Sequence, residues 1–334
     1  DGQGGDRTMS NAKIKVALVG AGGWGAQHAR VFSQHPDVAL CAVCGRSEAR
    51  TRARAEAYGL RAYLDIDDML DAEKPDFVSI SLPNQAHFAP TMRVIERGFP
   101  LLVEKPLVFD LGEADAMLAA AERRSLFFAI NFNHRYAQPV QRARAAIEAG
   151  RLGELVFATW RFGGEGSSAH PHANLIETQC HGFDMLEHLC GPIAALSAEM
   201  TDKTGGGFRT LVLSLRFASG AVGSLVGTYD SSYAYRDTHR VEVNGTRGRV
   251  LIDDTVKRFE FQATGDESAE VWQAGYFNDR GREFHRTFDA HLEDMLRAFR
   301  AGEAPPIHAQ AGRRALALAY AAIESHEQGR RVEV

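Results

Sequence analysis

Residues 14–35 read IKVALVGAGGWGAQHARVFSQH, and the fold follows from them. Residues 14–19 form an apolar run of the kind found in a strand buried on both faces. Gly20, Gly22 and Gly25 punctuate the turn that follows, and residues 27–35 can continue as a helix. Strand, G-x-G-x-x-G turn and helix, in that order, make a dinucleotide-binding unit. The first glycine permits the tight turn, the second lets main chain approach a pyrophosphate, and the third lets helix pack on strand. The N-terminus of the helix offers N–H groups and the positive end of its dipole to the anion. Gly23 and Trp24, inside the turn, are expected beside the cofactor.

Outward from this unit the alternation repeats. Strands are expected at 38–44, 77–82, 101–104 and 126–131, with helices at 47–58, 88–97 and 111–124 between them. Such alternation predicts a doubly wound parallel sheet, a Rossmann domain over residues 13–131. After a helix at 138–149 the character changes. Strand-like runs at 154–162, 209–217, 221–230, 239–244 and 249–253 follow with few helices between them, and two closing helices are expected at 285–300 and 311–328. Residues 132–334 are therefore read as an α+β domain with a large open, mainly antiparallel sheet. Residues 1–12 are polar and Gly-rich and read as a leader or disordered tail.

A length of 334 residues suits two domains, and 45% hydrophobic residues can fill two cores. A formal net charge of -5 offers no general attraction for nucleic acid or anionic lipid, so a small molecule is the expected partner. No uncharged apolar run reaches the ~20 residues of a membrane helix. Cysteines at 41, 44, 180 and 190 are too few for a disulfide scaffold and point to a reducing cytoplasm. Cys41 and Cys44 have C-x-x-C spacing but lie in a strand-like apolar run without a second pair, so they are expected as core thiols and no metal is expected.

The end of the second strand bears on cofactor choice. An acidic residue there binds the ribose 2′-hydroxyl of NAD. This chain has Gly45-Arg46-Ser47 instead, which favours NADP over NAD because a guanidinium pairs with phosphate in a bidentate way. Arg46 lying over the adenine or in solvent is the alternative. Lysine is scarce, and Lys105 follows an apolar strand within Glu104-Lys105-Pro106. That is the carboxyl end of a parallel strand, where doubly wound folds bind ligands. A lysine there can exchange a proton with a substrate hydroxyl.

With the G-x-G-x-x-G turn, Glu104-Lys105-Pro106, Pro83, Asn84, His87, the 131–136 run and a later histidine helix in hand, the chain resembles the glucose-fructose oxidoreductase, inositol dehydrogenase and MocA (Gfo/Idh/MocA) family from about Lys13 to its C-terminus. The resemblance implies a Rossmann domain for a nicotinamide cofactor, a sheet domain for homodimer or homotetramer contacts, and sugars, polyols or keto-sugars as substrates. The family's second catalytic motif, an aspartate followed four residues later by a histidine, falls on Glu177 and His181, so glutamate replaces aspartate here. If the segment is one helix, Glu177, His181, Asp184 and His188 share a face. His181 suits proton exchange near neutral pH, with Glu177 orienting it or binding a substrate hydroxyl. Trp24 and His87 are expected at the nicotinamide end, Asn131 and Arg135 at the substrate end, and His170 in a loop over the substrate after the 163–168 run. Tyr229, Tyr233, Tyr235, Arg236 and His239 are expected in oligomer contacts or ordinary packing.

The expected activity is NAD(P)-dependent hydride transfer at a hydroxyl-bearing carbon, with Lys105 and His181 handling the hydroxyl proton. Two alternatives keep the same site: a glycosidase that oxidises, eliminates and re-reduces on a retained cofactor, and a non-enzymatic dinucleotide sensor.

Overall fold

The computed structural model describes residues 12–166 and 169–334, so most of the expected leader and Ser167 and Ser168 of the loop lie outside the described residues. The first layer runs β1 (Ile14–Val19), α1 (Gly23–Gln34), β2 (Val38–Cys44), α2 (Glu48–Tyr58), β3 (Arg61–Tyr63), α3 (Ile66–Glu73), β4 (Phe77–Ile80), α4 (Phe88–Glu96), β5 (Leu101–Val103), α5 (Leu111–Glu122) and β6 (Phe128–Ile130). All its strands are parallel, in the order β3-β2-β1-β4-β5-β6. The order reverses direction between β1 and β4, and loops part there to leave a crevice at the strands' carboxyl ends. The sequence reading passed over β3 and α3. β3 has only three residues, and the start of α3 is set by Asp65, whose side chain accepts from the main-chain N–H groups of Asp67 and Asp68.

The chain continues through α6 (Gln138–Glu148), β7 (Leu155–Gly163), α7 (Cys180–Cys190), β8 (Ile193–Thr201), β9 (Thr210–Phe217), β10 (Val222–Thr228), β11 (His239–Gly245), β12 (Gly248–Asp253), β13 (Arg258–Ala263), β14 (Glu270–Gln273), α8 (Asp279–Arg282), α9 (Arg286–Ala301), α10 (Gln310–Gln328) and β15 (Val332–Glu333). The second sheet has nine strands in the order β14-β13-β12-β11-β7-β10-β9-β8-β15. Its described neighbours are antiparallel apart from β7 and β10, which run parallel. Strand β9, TLVLSLRF, alternates strictly: Leu211, Leu213, Leu215 and Phe217 face the core while Val212, Ser214 and Arg216 face out. Among the described residues no helix is long and apolar enough to cross a membrane.

Helix α9 comes from the far end of the chain yet packs on the first sheet. Its Phe288, Leu292, Met295 and Leu296 join Val16, Leu18, Phe77 and Leu102 in one buried apolar cluster. Burying each such side chain stabilises by about 1.5–3 kcal/mol. Main-chain bonds from Ile130 N–H to Ile307 and from Ala309 N–H to Phe128 carry the chain back along β6 before α10 begins.

Candidate active site

The glycine turn is shaped by two close approaches. Gly20 has φ 122°, and a Cβ on it would lie 1.8 Å from the Ser81 carbonyl oxygen; one on Gly25 would lie 2.2 Å from the Gly20 carbonyl oxygen. Only glycine fits either place. At Gly22 and Gly23 a Cβ would meet nothing within 4 Å. That open side forms a cavity of about 420 Å³ bounded by the turn, Arg46, Ser47, Arg50 and the main chain around Pro83 and Asn84. A pyrophosphate fits this cradle: main chain without side chains on one side, cations on the other, and the start of α1 at its base.

Arg50 and Arg54 escaped the sequence reading, although Arg46, Arg50 and Arg54 recur at a spacing of four. Arg50 lines the cavity, and Arg54 Nη2 donates to the Gly22 carbonyl at 3.3 Å, supporting the turn from behind. Cys44 and Cys41 are free thiols; burial raises both to about 11.

Trp24 borders this cavity and also a second one of about 480 Å³, joining the two. It is 46% exposed and stacks on Phe288 of α9, with centroids 5.7 Å apart. Lys105 and His181 lie together on the wall of the second cavity. Lys105 follows β5, and its Nζ donates to the main-chain carbonyl of Glu177 at 3.1 Å.

Glu177 departs from the expected stripe. A π-helical turn, Asn174–Thr178, precedes α7, and the break at Gln179 takes Glu177 off the helix that carries His181, Asp184 and His188. The stripe is also not a solvated face: it docks on residues 133–136. His181 stacks on His134 with ring centroids 3.8 Å apart and planes 4° off parallel. Asp184 takes both ends of the Arg135 guanidinium. Arg135 is thereby held outside the cavity lining, contrary to the substrate role expected of it.

His181 Nδ1 is sealed without a partner among the described residues, which leaves Nε2 as the nitrogen reaching the cavity. Burial holds this imidazole neutral, well below its ordinary pKa, and the neighbouring His134, Lys105 and His239 push the same way. His134 is lowered to about 3, by burial first and Lys105 second.

Behind Lys105 runs a buried polar chain. Ser79 Oγ meets His28 Nδ1 at 2.7 Å, His28 Nε2 meets Glu104 Oε1 at 2.8 Å, Asn131 Nδ2 donates to the same oxygen at 2.7 Å, and His291 Nδ1 meets Asn131 Oδ1 at 2.7 Å. Burial pushes Glu104 up, but the bonds from His28 and Asn131 outweigh it and hold the carboxyl below its usual range. The other Glu104 oxygen accepts from the Lys105 main-chain N–H at 3.1 Å. Asn131 is fully buried in this chain and does not line the cavity, which corrects its expected place at the substrate. His87 is likewise buried behind the wall, its ring nitrogens meeting the carbonyls of Pro106 and Leu82 at 2.7 and 3.0 Å. His170 packs edge-on against Phe109 at 4.9 Å, away from the cavity lining.

The opposite wall was read as oligomer contact or packing. In the structure Tyr233 and His239 line the cavity, as do Asn133, His134 and the Asp254–Thr255 turn. Their sequence signal was slight, because residues from β11 and the turn after β12 meet Lys105 only once both sheets are assembled. Among the described residues no group of three or more His, Cys, Asp or Glu is placed to hold a metal ion.

Two family models match this chain: the oxidoreductase family, NAD-binding Rossmann fold, over residues 14–132, and the C-terminal alpha/beta domain of the same family over residues 144–334. The chain belongs to the Gfo/Idh/MocA oxidoreductase family. Members similar to it include myo-inositol 2-dehydrogenase of Thermotoga maritima, 25% identical over 96% of this chain and 98% of that one. D-glucoside 3-dehydrogenase of Escherichia coli is 34% identical over 46% of this chain and 44% of its own length. Levoglucosan dehydrogenase, solved with NADH and L-sorbose, has the same fold with a TM-score of 0.87, 20% identity and coverage of 97% and 99%. The chain is thus an NAD-binding Rossmann oxidoreductase.

Proposed function

We propose that the protein is a dehydrogenase acting on a secondary hydroxyl of a sugar or polyol, with NADP preferred over NAD. The observation that carries this reading is the joining of two cavities at Trp24: a phosphate cradle on one side, Lys105 and the open nitrogen of His181 on the other. The names of the relatives, dehydrogenases of inositol, glucoside and levoglucosan, support the substrate class.

A nicotinamide cofactor, when bound, would supply the hydride acceptor or donor. His181, held neutral, accepts the hydroxyl proton at Nε2, and Lys105 stabilises the negative charge that develops on that oxygen. Glu177 contributes its main-chain carbonyl, which aims the Lys105 ammonium. Gly22 and Gly23 with Gly20 and Gly25 hold the pyrophosphate, with Pro83 and Asn84 on the far side of the cradle. Arg46, Ser47 and Arg50 line the cradle, and the absence of a carboxylate in Cys44-Gly45-Arg46-Ser47 supports a 2′-phosphate beside them. Asn131, Arg135 and His87 act as supports. Homodimer or homotetramer contacts through the outer face of the second sheet belong to the same reading, supported by exposed Val156, Val212 and Val222. Free thiols at all four cysteines suit a reducing cytoplasm.

The test is a panel of sugars and polyols with NADP and with NAD, followed by absorbance of reduced nicotinamide and by product chromatography. One reduced nicotinamide per oxidised product is expected. Sustained cleavage of a glycoside at constant nicotinamide absorbance would overturn the dehydrogenase in favour of a cofactor-retaining glycosidase.

A further inference from the structure

The cavity that holds Lys105 has a neighbour beyond its opposite wall. A second, outer cleft of about 520 Å³ begins there, and Tyr233, Asp254 and Lys257 border both. Beyond them the outer cleft is bounded by Tyr235, Arg236 and Gln273. The two clefts therefore adjoin across these three residues.

Tyr233 is built into this passage. A Cβ on Gly164 would lie 2.4 Å from Tyr233 Cζ, so the ring rests directly on main chain that no other residue type would allow. The residue is still 61% exposed, and Tyr235 beyond it is 66% exposed. An aromatic ring held against main chain yet largely exposed is a platform for the C–H face of a sugar ring or for another aromatic group.

The turn beside it is equally fixed. Asp254 and Thr255 have φ 46° and 55°, costly for any side chain and most of all for a β-branched one. They are held there by the Thr255 hydroxyl on His239 Nδ1, by Asp254 N–H on the His239 carbonyl at 2.7 Å, and by Lys257 Nζ on Asp254 Oδ2 at 2.6 Å. Strain maintained by three ties at the junction of two cavities marks a wall whose shape matters.

We infer that the outer cleft is a second subsite, and that the substrate is an O-glycoside whose aglycone or second ring lies on Tyr233 and Tyr235 while the oxidised ring lies against Lys105 and His181. This rests on the dehydrogenase reading above and narrows its substrate class: the molecule is a substituted sugar, oxidised with its glycosidic bond intact. The charged groups around the cleft carry opposite signs, Arg236, Lys257 and Arg258 against Asp237, Asp253 and Asp254, which suits neutral hydroxyl-rich groups better than an anion.

The experiment compares free hexoses with their p-nitrophenyl glycosides, the α and β anomers of glucose and galactose, by kcat/KM with NADP and NAD. The same probes are titrated calorimetrically into the protein saturated with reduced cofactor. For the preferred sugar a glycoside advantage of roughly three- to tenfold is expected, the range one well-seated aromatic contact commands. Tyr233→Ala and Tyr235→Ala should each bring that ratio down toward one, and Tyr233→Phe should restore it because the ring remains. Free sugars oxidised as well as their glycosides, or a ratio unmoved by Tyr233→Ala and Tyr235→Ala, would overturn the inference and leave the dehydrogenase standing. Glycosides that bind through Tyr233 without any nicotinamide being reduced would do the reverse. Absence of both binding and turnover across the panel would overturn the inference.

Discussion

Lowering the pH should destabilise this protein through its buried histidines, well above the range where carboxylates usually titrate. His134, His181, His239 and His291 are all buried, and burial is the first cause of lowering in each; His134 and His291 fall to about 3. The folded chain thus refuses protons that the unfolded chain accepts near pH ~6.5. Because the unfolded state binds more protons, stability falls as pH falls through the unfolded value. Each histidine held well below that value costs on the order of 1 kcal/mol between about pH 7.5 and about pH 5.5. Together with His188, also lowered to about 3 by burial first, they remove a sizeable part of the ~5–15 kcal/mol that holds a domain folded. Asp184, raised by burial against the pull of Arg135, works in the opposite sense and offsets part of this. Urea denaturation at pH steps across the window measures the slope. His134→Phe, which keeps a ring stacked on His181, should make it shallower. A flat stability profile in the parent, or an unchanged slope in the variant, would refute the assignment of neutral buried imidazoles.

Lys105→Met should lower turnover by at least ~100-fold with little change in dinucleotide affinity, as steady-state rates and cofactor titration will show. Arg46→Ala should weaken NADP several-fold and leave NAD nearly unchanged by calorimetry, because only NADP carries the phosphate. Gly20→Ala, which sets a Cβ 1.8 Å from the Ser81 oxygen at φ 122°, should cost at least about 3 kcal/mol in denaturant unfolding.

Legibility in the sequence followed locality. The unit around residues 14–35 was plain because strand, turn and helix are contiguous, and each glycine answers to a neighbour fixed by that fold. Lys105 and His181 were legible through motif and resemblance, and they do meet in one cavity. The separation of Glu177 from the helix of His181 is hidden in the sequence, where their spacing looks regular and the π turn between them has no marker such as glycine or proline. Arg135 and Asn131 are polar residues in a promising stretch, but their partners, Asp184, Glu104 and His291, lie 27 to 160 positions away. His134, Tyr233 and His239 were out of reach for the same reason: a cavity wall assembled from distant strands has no contiguous pattern.

The return of α9 has a bearing on how the chain is made. Until residue 301 has been synthesised, one face of the first sheet lacks Phe288, Leu292, Met295 and Leu296, and His291 has not yet reached Asn131. A nascent chain ending near residue 131 thus carries an uncovered apolar surface on Val16, Leu18, Phe77 and Leu102. Such surface invites chaperones or aggregation while translation proceeds at ~5–20 residues per second. Trp24, at the border of the two cavities, likewise gains its stacking partner Phe288 only with the last of the fold.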